Sequence, residues 1–358
     1  MRVIPALDGL RGLAVALVLL RHAAYLGGYQ DSLPPVLGTF MLNGWVGVDL
    51  FFILSGFLIS RPFFSGRPFA WKPYLTRRAL RILPPYLFVL GAVVAGWVPF
   101  YVFNQNDLGW RVFYHLLFLQ DYLRSDIVIA FWSLGVEEKF YLLAPVLLPL
   151  ILRTPNVRLQ FLLLAAVLSL GPLTRALTVC LLGPAANYPE FFGLYRSPFH
   201  ACLDGLFWGV LLARLEAMPT PWATLARAKR LFWIGGAALA SLMISHELLD
   251  HIGVTESVLR PTCIGLIMTL LVGAAVFGGA PHVFEWSVAR WLGRISYSLY
   301  LIHIPLIYPA AKLTHLLEGS FALFLLIYTT LVLAVSHLMH VLVEQPFLNL
   351  KSRMAPSP

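Results

Sequence analysis

Charged and imidazole side chains stand in this chain where an apolar environment would ordinarily exclude them. The stretch 7–25, LDGLRGLAVALVLLRHAAY, is long and apolar enough to cross a bilayer, yet it holds Asp8, Arg11, Arg21 and His22. An ionisable group inside a membrane span costs several kcal/mol, so such groups face the protein interior and commonly serve a function. Arg11 and His22 are eleven residues apart. At about 100° per residue, they fall within roughly 20° of three full turns, and His22 stands about 16 Å further along the same face. One reading makes Arg11 a snorkelling anchor and His22 a satisfied core histidine. The other makes the pair part of a working interior, with a neutral imidazole as general base.

Two further spans add carboxylates. Asp49 lies in GVDLFFILSGFLIS, and Glu137 and Glu138 lie in FWSLGVEEKFYLLAP, where Trp132 and Ser133 are further site candidates. Each carboxylate is expected about six residues, or about 9 Å, below the outer end of its span, at a depth similar to that of His22. Asp49 is either a site residue or the ion-pair partner of Arg21 or of an outer arginine. Glu137, Glu138 and Lys139 are either a surface cluster or a buried one, and the apolar run after them favours the second. His303, in SYSLYLIHIP, is either a helix-packing residue or a site residue.

The elements that must hold these groups are membrane helices. Of the 358 residues, 59% are hydrophobic and 12% charged, with mean hydropathy +0.78. A soluble domain carries about 25% charged residues. Apolar spans are expected at about 7–27, 41–60, 82–103, 131–152, 159–182, 198–215, 231–249, 259–279, 295–316 and 320–343. A half-polar stretch, 104–130, separates the third and fourth spans, and its part 110–119 suits a helix lying in the interface. The first span reads as retained rather than as a cleaved signal.

The net charge of +9 is first a topological signal. With the N-terminus inside, the inner loops 61–81, 153–158, 214–230, 281–294 and 344–358 collect most of the Lys and Arg. The expected fold is therefore an all-α integral membrane bundle of about ten transmembrane helices with both termini cytoplasmic. It has one membrane domain, 1–347, and a short tail, 348–358. No basic run with interleaved aromatics suggests nucleic acid. The three cysteines, Cys180, Cys202 and Cys263, show neither zinc-site spacing nor a disulfide framework.

The inner face carries KPYLTRRALR, in which Lys72 and Tyr74 precede Arg77, Arg78 and Arg81 at the start of the third span. Arg77 and Arg81 are four apart and are expected on one helix face. They serve at least as topology anchors. They also suit a phosphate clamp, since arginine forks bind phosphate bidentately and a helix N-terminus favours anions. Cations inside and a His/carboxylate group toward the outside describe a device that holds an anionic donor at one face and does proton chemistry near the other.

LDGLRGLAVALVLLRH, GVDLFFILSGFLIS, YLTRRALRILPPY, FWSLGVEEKFYLLAP and SYSLYLIHIP together resemble the membrane-bound acyltransferase 3 family, over residues 5–347. The resemblance implies a ten-helix membrane enzyme of the bacterial inner membrane that O-acylates surface carbohydrates or exported metabolites. It places the essential Arg–His pair at Arg11 and His22. The acyl-CoA block then falls on Arg77, Arg78 and Arg81, and the SLxVE glutamate on Glu137. Lys139 stands where relatives often have Gln. Many relatives carry a C-terminal esterase-like domain that this chain lacks, so a second transfer step would need another protein or is not required.

The expected reaction takes acetyl-CoA, or another short acyl-CoA, and no metal. The pantetheine arm threads past Arg11 to His22, which acts as general base or as an acylated intermediate. Glu137 and Asp49 orient or balance the imidazole. The partners are the lipid bilayer, the acyl-CoA and a carbohydrate acceptor. A transporter or flippase of a glycolipid or polysaccharide precursor is the competing class, since buried charges also mark transport paths. Asp8 is either a helix N-cap or a site residue.

Overall fold

A computed structural model describes residues 3–29, 32–66, 69–123, 127–218, 225–245 and 252–353. The expected loop residues Gln30, Asp31, Arg67, Arg124 and Asp126, and the tail from 354, lie outside the described residues. Among the described residues the chain is helical, with no strand.

The helices, in order, are α1 Pro5–Leu26, α2 Pro35–Leu42, α3 Gly47–Ser60, α4 Trp71–Val94 and α5 Leu108–Leu116. They continue with α6 Trp132–Leu152, α7 Val157–Leu182, the single turn α8 Tyr188–Glu190, α9 Leu203–Glu216 and α10 Leu225–Ser245. The last five are α11 Val254–Val258, α12 Arg260–Val276, α13 Ser287–Leu316, α14 Phe321–Met339 and α15 Gln345–Arg353. A π-helical turn, Phe191–Arg196, follows α8.

Among the described residues, four helical stretches are long and apolar enough to cross a membrane: Pro5–Leu26, Pro35–Ser65, Val157–Leu182 and Phe321–Leu350. At 14 and 17 residues, α9 and α12 are shorter than a full span.

Several helices begin earlier than their apolar runs. The third apolar span is expected from about 82, with Pro84–Pro85 at its opening, but α4 starts at Trp71 and carries both prolines inside it. Each interior proline removes one helical hydrogen bond. Helices in an apolar environment nevertheless run through proline, because neighbouring groups satisfy what is freed. Arg77, Arg78 and Arg81 therefore lie in the second and third turns of α4, not at its N-terminus. Phosphate binding there would rest on guanidinium groups rather than on free helix amides. Likewise α13 starts at Ser287, so Arg290 and Arg294 belong to the helix and not to a connector.

The bundle centres on α1, which packs against α13 and α3. Small residues make the first contact close. A Cβ on Gly12 of α1 would crowd the Ala289 carbonyl of α13, and one on Gly293 of α13 would strike the Asp8 backbone. Glycine at such crossings lets two helix backbones approach beyond what larger residues permit. One hydrophobic core gathers α4, α6, α13 and α14; a second gathers α10 and α12; α1, α3 and α9 contribute to both. Buried ion pairs tie the remaining helices together. Arg61 and Glu216 make a two-pronged bridge at 2.7 Å from the end of α3 to the end of α9. Arg175 of α7 donates to Asp204 of α9 at 2.7 and 3.2 Å.

Candidate active site

Two cavities lie side by side in the bundle. The first, with an empty volume of about 760 Å³, is lined by Arg11 of α1, Arg78 and Arg81 of α4, and Glu137, Glu138 and Tyr141 of α6, among others. Arg78 and Arg81 are three residues apart, so one face of α4 delivers both. Arg77 and Lys72 are not among the lining residues. The pair that shares the cavity is thus Arg78 with Arg81, rather than Arg77 with Arg81. Tyr74 supports it from behind: the Arg78 guanidinium lies 5.8 Å from its ring and 5.3 Å from the ring of Tyr141.

Glu137 accepts a hydrogen bond from the Tyr141 hydroxyl at 2.7 Å. Its place in the Arg11 cavity, rather than in the His22 cavity, departs from the expected common depth. Asp8 does not cap α1. The N-cap is Ile4, and Asp8 in the first turn pairs with Arg11 at 3.4 Å.

The second cavity, of about 560 Å³, is lined by Arg21 and His22 of α1, Trp45, Trp132, Tyr188 and Arg196, among others. His22 Nδ1 lies 2.9 Å from the Val18 carbonyl and 3.2 Å from His303 Nε2. His303 Nδ1 lies 2.7 Å from the Tyr300 carbonyl. A carbonyl only accepts, so the hydrogen-bond network assigns a proton to Nδ1 of both rings. His303 Nε2 then accepts from His22 Nδ1–H, and the lone pair of His22 is left on Nε2. That is the tautomer a general base requires. His303, itself fully buried, is the neighbour that orients His22.

Asp49 pairs with neither His22 nor Arg21. Its two oxygens accept from Arg196 at 2.6 and 2.9 Å. The Arg196 guanidinium is sandwiched 4.8 Å from the Trp45 ring and 5.6 Å from the Trp132 ring. Arg21 donates to the Leu42 carbonyl at 2.9 Å and lies 4.7 Å from the Tyr25 ring. Asp49 thus acts on the second cavity through Arg196. Sequence reading missed Trp45, an uncharged residue inside the second expected span, and Tyr188 and Arg196, which lie in short turns outside the expected spans. The one signal for Arg196 was Asp49 itself, since a buried carboxylate requires a cation.

Val48 and Tyr300 line both cavities. The Tyr300 hydroxyl lies 2.7 Å from Ser133 Oγ and donates to the Ala130 carbonyl at 2.9 Å. Arg11, Arg78 and Arg81 edge one chamber together with Glu137 and Glu138, and His22 edges the other together with Arg21 and the Asp49-paired Arg196, with the Tyr300 ring between them. Such an arrangement can hold an anionic molecule on one side and deprotonate a hydroxyl on the other.

Lys139 lines neither chamber. Its ammonium donates to Asp121 Oδ1 and to the Phe118 carbonyl, both at 2.6 Å. The Asp121 side chain is fully buried. Burial pushes its carboxyl above the ordinary range, and Lys139 draws it back down. Lys139→Gln is expected to cost about 2 kcal/mol of stability while leaving both chambers intact, because a buried carboxylate loses its counter-charge. A buried carboxyl held above its unfolded value destabilises most when it is ionised. The deficit of the variant should therefore be greatest at neutral pH and shrink as pH falls through the carboxyl's raised range, as thermal unfolding across pH would show.

A family model described as "Acyltransferase domain" matches residues 4–341. Among curated proteins, the chain is 28% identical to the "Putative membrane-bound transacylase BcsY" of Komagataeibacter xylinus, over 97% of this chain and 83% of that protein. It is 25% identical to the peptidoglycan O-acetyltransferase OatA of Listeria monocytogenes, over 85% of this chain and 49% of that protein. It is 29% identical to the O-acetyltransferase OatA of Staphylococcus aureus, over 48% of this chain and 29% of that protein. The chain thus spans about half the length of the Listeria relative and less of the Staphylococcus one. No solved structure matches it.

Proposed function

The chain belongs to the acyltransferase family, and from that premise we propose that it moves an acetyl or similarly short acyl group from acyl-CoA to a hydroxyl of an envelope or exported carbohydrate. The observation that carries this reading is the shared wall. A chamber edged by Arg11, Arg78 and Arg81 adjoins, at Val48 and Tyr300, a chamber edged by His22. In this reading about ten helices span the inner membrane of a bacterium, and the arginine chamber opens to the cytoplasm with both termini.

The donor's phosphates sit on Arg78 and Arg81, whose forks match phosphate oxygens. Its pantetheine arm passes Arg11. The acceptor enters the second chamber, where Trp45, Trp132 and Tyr188 offer ring faces against which a sugar can pack. His22 Nε2 takes the proton of the acceptor hydroxyl as its oxygen bonds the thioester carbonyl carbon. The C–S bond then breaks, and the thiol leaves with the proton His22 received. His303 holds the base in its reactive tautomer. Asp49 keeps the Arg196 wall charge-balanced. Glu137 belongs to the donor side, beside Arg11 and Tyr141.

The test is transfer in inverted membrane vesicles given radiolabelled acetyl-CoA. Base-labile label, the mark of an ester, is expected in the carbohydrate fraction only when the chain is present. Folded chain in the vesicles without such label would refute the assignment and favour a transporter.

A further inference from the structure

We propose that Tyr300 is the gate between the donor and acceptor chambers and the residue that limits the length of the acyl group; the inference rests on the acyl-transfer reading above. Arg78 and Arg81 line one chamber, and His22 the other. An acyl carbon tethered to a donor in the first must therefore pass Tyr300 and Val48, which line both, to meet an acceptor held at His22.

The Tyr300 side chain is fixed in that position. Its hydroxyl is held between Ser133, which lines the donor chamber, and the carbonyl of Ala130, which lines the acceptor chamber. Its ring meets the Phe51 ring edge-on at 5.9 Å and the His303 ring at 5.5 Å. Its own carbonyl anchors His303 Nδ1 at 2.7 Å, and His303 contacts His22. One turn of α13 thus supplies both the partition and the group that orients the base. A ring latched by two hydrogen bonds resists displacement, so acyl carbons beyond the first few would meet it as an end wall, which accommodates a short acyl group and excludes a longer one. The same ring keeps water in the acceptor chamber from the waiting thioester. Without it, water's oxygen can bond the acyl carbon, the C–S bond breaks, and the thiol leaves with the proton that His22 took from the water.

Discrimination by one methylene in an apolar pocket is worth about 10–200-fold. Purified wild type, Tyr300→Phe and Tyr300→Ala would be compared for thiol release from acetyl-, butyryl- and hexanoyl-CoA, with and without an acceptor extract. In Tyr300→Ala the butyryl-to-acetyl ratio of kcat/KM is expected to rise about tenfold or more. The share of thiol released without acceptor should rise with it. Tyr300→Phe keeps the ring but loses both hydrogen bonds and should raise the ratio by less than Tyr300→Ala does, and a rise in Tyr300→Phe larger than that in Tyr300→Ala would overturn the gate. A uniform fall for all three donors in Tyr300→Ala, with the ratio and the acceptor-free share unchanged, would overturn the gate and leave Tyr300 a packing residue. Should Tyr300→Ala fail to fold, Val48→Ala opens the same partition from α3. It must move the ratio in the same direction, and an unmoved ratio in folded Val48→Ala overturns the proposal equally. Wild type that releases no thiol from any donor would defeat the acyl-transfer reading itself, a result distinct from an unmoved ratio.

Discussion

His22→Ala is expected to lower acyl transfer by about 10²–10⁴-fold, the usual contribution of a positioned general base. Acyl-CoA binding should stay at the wild-type value, because His22 lines one chamber and Arg78 and Arg81, the proposed phosphate ligands, line the other. The loss should therefore fall on kcat and not on the affinity for the donor. The fold should survive, since His22 is half-buried and its ring bonds only close a local turn to Val18 and a contact to His303. His22→Gln should fare little better, as an amide nitrogen cannot take up the proton. A single-turnover assay on purified variants reads the effect. Transfer retained by folded His22→Ala within a factor of about three would remove the base from the mechanism, since that is far below the contribution of general-base catalysis.

Asp49→Ala is expected to cost about 3–5 kcal/mol of stability, the penalty of leaving a buried charge without its partner. Both carboxylate oxygens are engaged by Arg196, and both side chains are almost fully buried. Truncation leaves the guanidinium between the Trp45 and Trp132 rings with its carboxylate gone. A double replacement, Asp49→Leu with Arg196→Met, should recover much of the stability, because an apolar pair of similar volume is often as stable as a buried ion pair. It should not recover transfer, if Arg196 shapes the acceptor chamber as its position there suggests. Thermal unfolding in detergent measures the first part, and the vesicle assay the second. Wild-type stability in Asp49→Ala would show that Arg196 is compensated by other groups.

Much of this was legible in the sequence where one residue type sits in an environment that disfavours it. Arg11, His22, Asp49 and Glu137 stand out because charge in an apolar run requires a reason, and the structure places all four at or beside the two chambers. Helix bounds were legible where apolar runs and helices coincide, as in α6 and α7. They were not where charged turns precede the apolar run, because hydropathy marks what is greasy and not what is helical. That is why α4 begins about a dozen residues before its apolar part, with Arg77, Arg78 and Arg81 inside it.

Pairing was the least legible feature. Partners across the bundle, such as Asp49 with Arg196 or His22 with His303, are separated by 147 and 281 residues. No local spacing encodes such contacts. The His22–His303 contact goes with the close approach of α1 and α13 at Gly293, which sequence shows only as a small residue. Glu137 lines the other chamber, and the ring in contact with His22 is that of His303, one turn after the Tyr300 whose carbonyl its Nδ1 meets.

The claim on which the account depends is that the arginine chamber binds an acyl-CoA. The measurement is equilibrium binding of acetyl-CoA to detergent-purified protein, with wild type beside the Arg78→Ala/Arg81→Ala double variant. Hydrogen bonds to charged groups contribute about 1.5–3 kcal/mol each. Saturable binding by wild type, weakened by at least about a hundredfold in the folded double variant, is the predicted result. Equal binding by the two folded proteins, or none by wild type, would contradict the account.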